Sequence, residues 1–307
     1  MPKLIIMCGL QGSGKSTFAQ KLNQSMPNSV LLSSDEMRKR FNINNALVFE
    51  ILYRQMNAAL ESGQDVIFDA TNITIKDRTA IYRAIEVDPA SIDVEVVVMA
   101  TPYDECLRRV EVRNKRGDHF VPLDVVEQYR NKFQVPVIDE PSRILNKPLD
   151  GLSLIPSKKA FNLQKYAQIK QKMDAFEQKN PMHTSTLGKH CDEVMEHYAL
   201  YKDDKMHEQF ALLHDYGKMF TQTFDSQGRA HYYSHANVGA YQLLTEDSDI
   251  VDIDSQSDFL GMIALVNYHM LAFDWASPKT NRKWTEILGE EMHRDLIEFN
   301  TSDQVRQ

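Results

Sequence analysis

The segment Gly9–Thr17, with the sequence GLQGSGKST, constrains the fold more than any other part of the chain. It fits the pattern G-x-x-x-x-G-K-[ST], follows the short apolar run Lys3–Cys8 and precedes a helical pattern over Lys15–Ser25. A strand, a glycine-rich loop and a helix in this order let backbone N–H groups and the helix N-terminus surround phosphates, although a glycine-rich turn that binds nothing is the alternative. The predicted phosphate-binding residues are Gly9, Gly12, Ser13, Gly14, Lys15, Ser16 and Thr17.

The rest of the first half alternates strand and helix patterns. Further strands are predicted at Val30–Ser33, Asp65–Phe68 and Ser91–Met99. Helical patterns separate or follow them at Leu47–Ser62, Ile75–Glu86, Tyr103–Asn114 and Leu123–Phe133. This β-α-β order predicts an α/β domain, residues 1–150, with a parallel sheet covered by helices on both faces.

The second half has a different pattern. Prolines at 136, 141, 148 and 156 indicate the last edge of the first domain and a linker, and residues 151–179 are predicted to be that linker with a connecting helix. An all-α domain is predicted for residues 180–307. Helical patterns lie at Lys158–Gln178, Leu187–Tyr201, Lys205–Met219, Ala236–Thr245, Phe259–Met270 and Thr285–Phe299.

Composition excludes several classes of protein. The chain has 307 residues, of which 42% are hydrophobic and 25% charged, which is typical of a globular protein and not of a disordered or collagen-like one. Since no apolar run approaches the roughly 18–20 residues that cross a bilayer, no membrane segment is expected. The scattered cysteines, Cys8, Cys106 and Cys191, exclude a disulfide framework and a CxxC metal site, which favours a reducing, cytoplasmic location.

Three polar residues follow the predicted second and third strands. Asp35 would accept a proton from an incoming hydroxyl, or it simply caps the helix that follows. Arg38 lies one turn further on and would bind an acceptor phosphate, or it is a solvated surface arginine. Asp69, at the end of the third strand, occupies the edge where parallel sheets place their sites and would support a Mg²⁺-bound water.

Arg109, Arg113 and Arg116 are spaced to share one helical face in a basic segment. On a mobile lid, such a face would neutralise charge on a transferring phosphoryl group. An ordinary basic surface helix is the alternative reading, but the upstream phosphate loop and Asp35 favour the lid.

The motifs GLQGSGKST, SSDEMRK, FDATN and RNKRGDHFVP, in this order, resemble the 5′-hydroxyl polynucleotide kinase domain of the phage end-healing type over residues 1–150. The resemblance implies that Lys15 and Ser16 bind ATP and Mg²⁺, that Asp35 is the general base and that Arg38 contacts the acceptor. It also implies that Arg113 and Arg116 are lid arginines, whereas Arg109 has no clear counterpart. Within FDATN, Asp69 and Asn72 are predicted to lie on the substrate and metal side of the site.

Histidine is concentrated in the second half, where nine of the ten histidines lie, and only His119 precedes residue 180. His214 and Asp215 are adjacent at the end of an apolar helical stretch, and both residue types bind metals. Other candidate ligands are spread along the helices around this pair. They are His190, His235, His269 and Asp303.

This H…HD…H…D pattern resembles the HD superfamily of all-α, metal-dependent phosphohydrolases over residues 180–307. The resemblance implies that His190, His214, Asp215 and Asp303 hold one metal, and that His235 and His269 hold a second metal or contact substrate. It also implies that Lys218 binds a substrate phosphate and that His183 is an outer-shell or phosphate-binding residue. The donor set suits Mn, Ni, Co or Zn, or Mg if carboxylates dominate. The histidines at 197, 207 and 293 are expected at the surface.

A 5′-kinase joined to a phosphohydrolase predicts repair of broken RNA or DNA ends, with RNA the favoured substrate and an RNA ligase the expected partner. The alternative is a nucleoside or small-molecule kinase fused to a nucleotide phosphohydrolase, which the net charge of −8 favours mildly because nucleic-acid binders are usually basic. A nucleotide-gated sensor whose HD domain only binds a ligand is a third possibility. The charge divides as 19 Lys and Arg against 20 Asp and Glu in residues 1–150, and 16 against 23 afterwards.

Overall fold

A computed structural model describes residues 1–41, 45–117, 120–181, 185–275 and 277–304. The chain divides into two compact units. The first unit contains Met1–Val126 and Ile138–Pro156, and the second contains Glu127–Val137 and Ser157–Gln307. The division differs from the predicted domain range 1–150 because the segment Glu127–Val137, which we call the strap, packs within the second unit.

The first unit is an α/β structure around five parallel strands in the order β2-β3-β1-β4-β5. This confirms the predicted parallel sheet with flanking helices. The elements are β1 (Lys3–Cys8), α1 (Lys15–Ser25), β2 (Ser29–Ser33), α2 (Ser34–Phe41), α3 (Asn45–Glu61), β3 (Asp65–Asp69), α4 (Ile75–Arg83), β4 (Asp93–Met99), α5 (Tyr103–Lys115), α7 (Ser142–Leu145) and β5 (Gly151–Ile155). Helix α6 (Leu123–Arg130) begins in this unit and ends in the strap.

The strand β1 lies between β3 and β4 and has five buried residues in a row, as expected of a parallel strand that is covered on both faces. Helix α1 packs on one face of this sheet. The apolar cluster beneath it consists of Ile5, Met7, Ala19, Ile67, Val97 and Met99. Because all five strands run parallel, the loops after β1, β2 and β3 emerge at the same edge of the sheet.

Two features of this unit differ from the sequence pattern. Strand β5 lies inside the predicted linker, because its residues complete the sheet beside β4. Asp35 lies inside the first turn of helix α2 and not before the helix as its cap, since α2 begins at Ser34, directly after β2.

The second unit is mainly helical, as predicted. Its elements are α8 (Leu163–Asp174), α9 (Leu187–Tyr198), α10 (Lys205–Leu213), α11 (Lys218–Thr221), β6 (Thr223–Phe224), β7 (Ala230–His231), α12 (His235–Leu244), α13 (Gln256–Tyr268), α14 (Pro278–Leu288) and α15 (Glu290–Gln304). The strands β6 and β7 form a short antiparallel hairpin that the sequence pattern did not predict.

Buried aromatic side chains join α9, α10 and α15. The rings of Phe210 and Phe299 lie 4.2 Å apart between centroids, and Tyr198 meets Phe299 edge-on at 5.3 Å. The ring of Phe299 also lies 5.0 Å from that of His214. The apolar core of this unit therefore extends directly to the histidine-rich region. Among the described helices, none is long and apolar enough to cross a membrane.

Candidate functional sites

The loop between β1 and α1 depends on glycine at two positions. Gly12 has φ +80°, and a Cβ there would approach the carbonyl oxygen of Cys106 to 2.4 Å. Gly14 has φ +90° and is the N-cap of α1. A larger residue would have to adopt a left-handed backbone at either position and would clash at Gly12. The loop therefore curves closely around the N-terminus of α1, which is the geometry that phosphate binding requires.

Four polar side chains meet where this loop faces the end of β3. The ammonium of Lys15 is buried and donates to the carbonyl of Leu10 at 2.8 Å. The hydroxyls of Ser16 and Ser33 both hydrogen-bond Asp69, with Ser33 Oγ 3.2 Å from Asp69 Oδ2. Burial lowers the pKa of Lys15 and raises that of Asp69, each against the opposing charge of the other. A cation, two hydroxyls and a carboxylate thus lie together at the loop.

Ser13 and Thr17, also predicted to bind phosphate, occupy different environments. The Oγ of Ser13 is buried and has no hydrogen-bond partner among the residues described, whereas its backbone carbonyl accepts from Thr101 Oγ1 at 2.7 Å. Thr17 is exposed in the first turn of α1. The backbone of Ser13 is therefore fixed by a tertiary hydrogen bond while its hydroxyl stays free for a ligand.

Asp35 and Arg38 form an ion pair on α2, with Arg38 Nη1 2.7 Å from Asp35 Oδ1. Arg38 also donates to Ser34 Oγ at 3.2 Å. The Asp35 side chain remains 45% exposed, and its charge acts on the pKa of both Lys15 and Asp69. The structure therefore brings Asp35 into the neighbourhood of the loop with an accessible carboxylate.

The three arginines of the predicted lid, on α5 and at its C-cap, differ in their contacts. Arg109, which lacked a clear counterpart in the motif, donates from Nη1 to the carbonyl of Gly12 at 3.3 Å while Glu105 holds its Nε at 2.6 Å. Arg113 has buried Nε and Nη2 atoms without a hydrogen-bond partner in the described part of the chain. Arg116 is exposed and is the C-cap residue of α5. Of these three arginines, Arg109 has a hydrogen bond to the phosphate-binding loop.

Asn72 lies beneath the loop. Its side-chain amide is buried and donates to the carbonyl of Met7 at 2.8 Å, and its backbone has φ +47°. The adjacent Arg78 and Glu140, which sequence reasoning missed, form a fully buried ion pair beside this turn. The pair could not be predicted from the sequence, because an isolated arginine or glutamate looks the same there whether it lies at the surface or inside the fold.

A second cluster forms in the helical unit. Six predicted residues contribute imidazole or carboxylate groups from widely separated positions, and each is buried. They are His190 on α9, His214 and Asp215 after α10, His235 at the start of α12, His269 after α13 and Asp303 on α15. The structure therefore brings all the ligands predicted for the second half together.

Asp215 lies between two pairs of histidines. Its Oδ2 is 3.3 Å from His214 Nε2 and 3.5 Å from His190 Nε2. Its Oδ1 is 3.1 Å from His235 Nε2 and 3.7 Å from His269 Nε2. Within each of these two groups the nitrogen and oxygen atoms all lie within 4.8 Å of one another. One carboxylate thus joins two sets of donors.

Backbone carbonyls fix three of these rings. The Nδ1 atoms of His214, His235 and His269 lie 2.8, 2.9 and 2.7 Å from carbonyl oxygens three residues earlier. A proton on Nδ1 leaves the lone pair on Nε2, which is the arrangement of a metal-binding histidine with an outer hydrogen bond. The Nε2 atoms of His190 and His214 are buried and both face the Oδ2 atom of Asp215.

Asp303 and Lys218 complete the cluster. Asp303 Oδ1 lies 3.1 Å from His190 Nε2 and 3.8 Å from His214 Nε2. Lys218 Nζ lies 2.6 Å from Asp215 Oδ2 and donates to Gln178 Oε1 at 2.9 Å. Burial opposes ionisation of Asp215, but Lys218 and His214 outweigh it and hold its pKa well below the usual range. Gln178 was not predicted and is a new member of the site.

Close backbone approach explains the glycine after the His-Asp pair. A Cβ on Gly217 would come within 1.9 Å of the carbonyl oxygen of His235 and 2.7 Å of the amide nitrogen of Gly239. The turn that carries Asp215 can therefore reach the start of α12 only with glycine at both positions.

The strap supports the second pair of histidines. The carbonyl of Phe133 accepts from Asn237 Nδ2 at 2.8 Å and from Asn267 Nδ2 at 3.1 Å, and Asn267 Oδ1 accepts from the amide of Val135 at 2.8 Å. Asn237 lies two residues after His235 on α12, and Asn267 lies two residues before His269 on α13. One strap carbonyl thus bridges the two helices. The sequence pattern placed this segment with the first domain and gave no sign of the contact.

Three histidines were expected at the surface. This is wrong for His207 and His293, which are 4% and 7% exposed, while His197 is half-buried. His207 Nδ1 lies 2.5 Å from Asp204 Oδ2 and its Nε2 lies 3.2 Å from Asp295 Oδ2, which explains how a polar ring is accommodated inside. His183 lies outside the residues that the structure describes.

Comparison with known proteins identifies the first unit more clearly than the second. Residues 4–136 match the family model described as "AAA domain". Together with the strand–loop–helix geometry, this match identifies a P-loop kinase-like domain. No curated protein matches the chain.

Several solved structures are similar to parts of the chain. A chain in the Pnkp1/Rnl/Hen1 RNA repair complex is 26% identical, with a TM-score of 0.38 and a match over 42% of each chain. A sugar kinase from Janibacter sp. HTCC2649 is 16% identical over 48% of this chain and 91% of its own, with a TM-score of 0.36. A gluconokinase from Sinorhizobium meliloti 1021 is 14% identical over 47% and 88%, with a TM-score of 0.31. The chain thus spans less than half the length of the repair-complex protein.

Proposed function

We propose that the chain heals broken RNA ends, phosphorylating a 5′-hydroxyl at the first site and removing a 2′,3′-cyclic, 2′- or 3′-phosphate at the second. The observation that carries the proposal is the presence in one chain of a phosphate-binding loop with an accessible carboxylate and of a buried cluster of histidines and aspartates. Each feature alone serves many reactions. The pair matches the two repairs that a 5′-hydroxyl, cyclic-phosphate break requires before ligation.

The first site fits ATP with Mg²⁺. The glycines allow the loop backbone to approach phosphates, and the hydroxyl of Ser16 bonded to Asp69 provides the two oxygen ligands with which P-loop proteins hold Mg²⁺. Bound Mg²⁺ would neutralise charge that develops on the transferring phosphoryl group. Lys15 would leave the Leu10 carbonyl and bind the β- and γ-phosphates.

Asp35 is the proposed general base. Its carboxylate would take the proton of the 5′-hydroxyl as that oxygen bonds the γ-phosphorus and ADP departs. Arg38, paired with Asp35 at 2.7 Å, would orient the carboxylate and bind the phosphate on the 3′ side of the acceptor nucleoside. Arg109, Arg113 and Arg116 would neutralise the transferring group, with Arg109 already at the carbonyl of Gly12.

The second site fits one or two divalent metal ions. The buried Nε2 atoms of His190 and His214 lie beside carboxylate oxygens, and Asp215 faces a histidine pair on each side. Such a set of imidazole and carboxylate donors suits a transition-metal centre. His190, His214, Asp215 and Asp303 would hold one ion, and Asp215, His235 and His269 a second. Mn, Ni, Co, Zn and Mg are the candidates. A bound ion would polarise a phosphoryl oxygen and lower the pKa of its water.

The protein groups around this centre have separate tasks. The backbone carbonyls behind His214, His235 and His269 keep the Nε2 atoms directed inward. Lys218, buried beside Asp215 and linked to Gln178, would bind a phosphate oxygen of the substrate. The products, a 5′-phosphate and free 2′,3′-hydroxyls, are what an RNA ligase joins, so a ligase is the proposed partner.

The test is an RNA oligonucleotide that carries a 5′-hydroxyl and a 2′,3′-cyclic phosphate, incubated with ATP and each divalent metal in turn. The proposal expects ³²P transfer from γ-labelled ATP to the 5′ end and, separately, loss of the terminal phosphate. Efficient transfer to nucleosides or sugars with none to the oligonucleotide would favour the small-molecule kinase reading. A DNA oligonucleotide of the same sequence tests the preference for RNA.

A further inference from the structure

A buried ion pair lies behind the phosphate loop in the first unit. The guanidinium of Arg78, on α4, contacts the carboxylate of Glu140 through two hydrogen bonds, Nε to Oε1 at 2.8 Å and Nη2 to Oε2 at 2.7 Å. Both side chains are completely buried. Removing two charges from water is so unfavourable that such a pair contributes little net stability compared with apolar residues. The importance of the pair therefore lies in the groups that it positions and not in the stability that it contributes.

The third contact of Arg78 leads to the turn after β3. Its Nη1 donates to the carbonyl of Asn72 at 2.9 Å and lies 3.9 Å from Sγ of Cys8. Asn72 has φ +47°, a left-handed backbone that an external hydrogen bond helps to maintain. Glu140 thus fixes the guanidinium, and the guanidinium fixes the carbonyl of Asn72.

This turn is bonded in its own right to the start of the phosphate loop. The side-chain amide of Asn72 donates to the carbonyl of Met7 at 2.8 Å, and the amide of Gly9 donates to the carbonyl of Thr71 at 3.0 Å. Asp69, which hydrogen-bonds Ser16, lies three residues before Asn72. The turn is therefore joined to both partners of the Asp69–Ser16 hydrogen bond, to Asp69 along the chain and to the phosphate loop through two hydrogen bonds.

We infer that Arg78 and Glu140 are positioning residues for the kinase site, holding the turn that sets Asp69 against Ser16 and the phosphate loop. The inference rests on the proposed Mg·ATP-dependent phosphotransfer. Neither side chain reaches the site surface, since both are fully buried, so they act through Asn72 and Asp69. A displacement of about 1 Å at such a site lowers rates by about 100-fold.

The decisive variant is the double replacement Arg78→Met with Glu140→Leu. It removes both charges and leaves no buried charge unpaired, so folding is expected to be retained. The carbonyl of Asn72 loses its donor. We expect the Mg²⁺ concentration for half-maximal ATP binding to rise, and kcat/KM for phosphotransfer to fall by about 10- to 100-fold. Isothermal titration calorimetry with ATP over a Mg²⁺ series measures the first effect without turnover.

Arg78→Lys is the companion variant, since it retains a cation beside Glu140 and loses the fixed fork of donors. The matched control is Leu145→Ala, which destabilises the same chain segment without touching the hydrogen bonds to Asn72. It should lower the melting temperature and leave the Mg²⁺ dependence unchanged.

Three results would overturn the inference. They are a folded double variant with wild-type Mg²⁺ dependence and rate, a Leu145→Ala variant with the same Mg²⁺ defect, and failure of both Arg78 variants to fold, which would make the pair a folding requirement only. Failure of the proposed function looks different, because the wild-type protein itself would then show no Mg·ATP binding or no transfer to the oligonucleotide.

Discussion

The phosphate loop and the histidine cluster are built in opposite ways. The loop is a local structure, in which nine consecutive residues, Gly9–Thr17, connect one strand to one helix and their backbone conformation creates the site. The cluster is assembled from side chains as far apart in sequence as His190 and Asp303, all of them buried. A local site tolerates loss of a side chain without unfolding. The side chains of the cluster, in contrast, are also part of the buried core of their unit. Substitutions should therefore affect the two sites differently.

The largest effect is expected at Asp215. Asp215→Ala removes the carboxylate that faces both histidine pairs, so metal binding and phosphate removal should fall by more than the roughly 10- to 100-fold that loss of an outer-shell partner produces. Metal content by mass spectrometry and release of the terminal phosphate measure it. The control is Asp225→Ala, a carboxylate in the loop between β6 and β7. Full metal binding by Asp215→Ala would contradict the assignment.

The next effect concerns the phosphate-loop site. Asp35→Asn keeps the shape of the side chain but cannot take a proton, so kcat for 5′-phosphorylation should fall by about 10²- to 10⁴-fold. The melting temperature should be unchanged, since the side chain is 45% exposed. Glu36→Gln, on the same helix, is the control. A small loss of rate would mean that another group accepts the proton.

A smaller effect is expected from a substitution that breaks the hydrogen bonds between Asn267 and the strap. Asn267→Ala leaves the amide of Val135 without its acceptor, so the free energy of unfolding should decrease by about 1–3 kcal/mol. Because Asn267 is two residues from His269, metal affinity should weaken by about tenfold. Chemical denaturation and metal titration measure the two effects, with Asn281→Ala on α14 as the control. Loss of stability with unchanged metal affinity would restrict the strap to a structural role.

The smallest effect is a pH dependence specific to the second unit. Burial opposes protonation of His207, but Asp295 and Asp204 outweigh it and raise its pKa, and Lys202 and Tyr198 also contact Asp295. The ion pairs of protonated His207 therefore contribute their full stabilisation at pH values below the unfolded-state pKa, near 6.5. This stabilisation is lost as pH rises through the higher folded-state pKa of His207. Melting temperatures from pH 6 to 9 should show this decline. If the melting temperature of a His207→Gln variant declines with pH as that of the wild type does, another group causes the decline.

The difference between the sites also explains what the sequence could predict. The loop, the parallel sheet and the helical second half follow from local patterns, namely a motif between a strand and a helix, and a change of periodicity. Convergence of His190, His214, His235 and His269 was expected from the resemblance of the H…HD…H…D pattern to the HD superfamily, and the adjacent His214 and Asp215 in an apolar stretch were the feature that singled it out.

The unpredicted features depend on partners remote in sequence. Arg78 and Glu140 are separated by 62 positions, and each has the sequence appearance of a surface charge. The burial of His207 depends on Asp295, and the contacts of the strap depend on asparagines in α12 and α13. Strand β5 was assigned to a linker because its pairing with β4 cannot be read from five residues.

The central claim is that one chain carries two independent sites for the two ends of an RNA break. The most direct test gives Lys15→Ala and Asp215→Ala variants the oligonucleotide with a 5′-hydroxyl and a 2′,3′-cyclic phosphate, with both ends of the product analysed by mass spectrometry. Lys21→Ala, an exposed lysine on the same helix as Lys15, is the control. The account predicts that Lys15→Ala removes only 5′-phosphorylation and that Asp215→Ala removes only hydrolysis of the terminal phosphate. Loss of both reactions from either folded variant would contradict it.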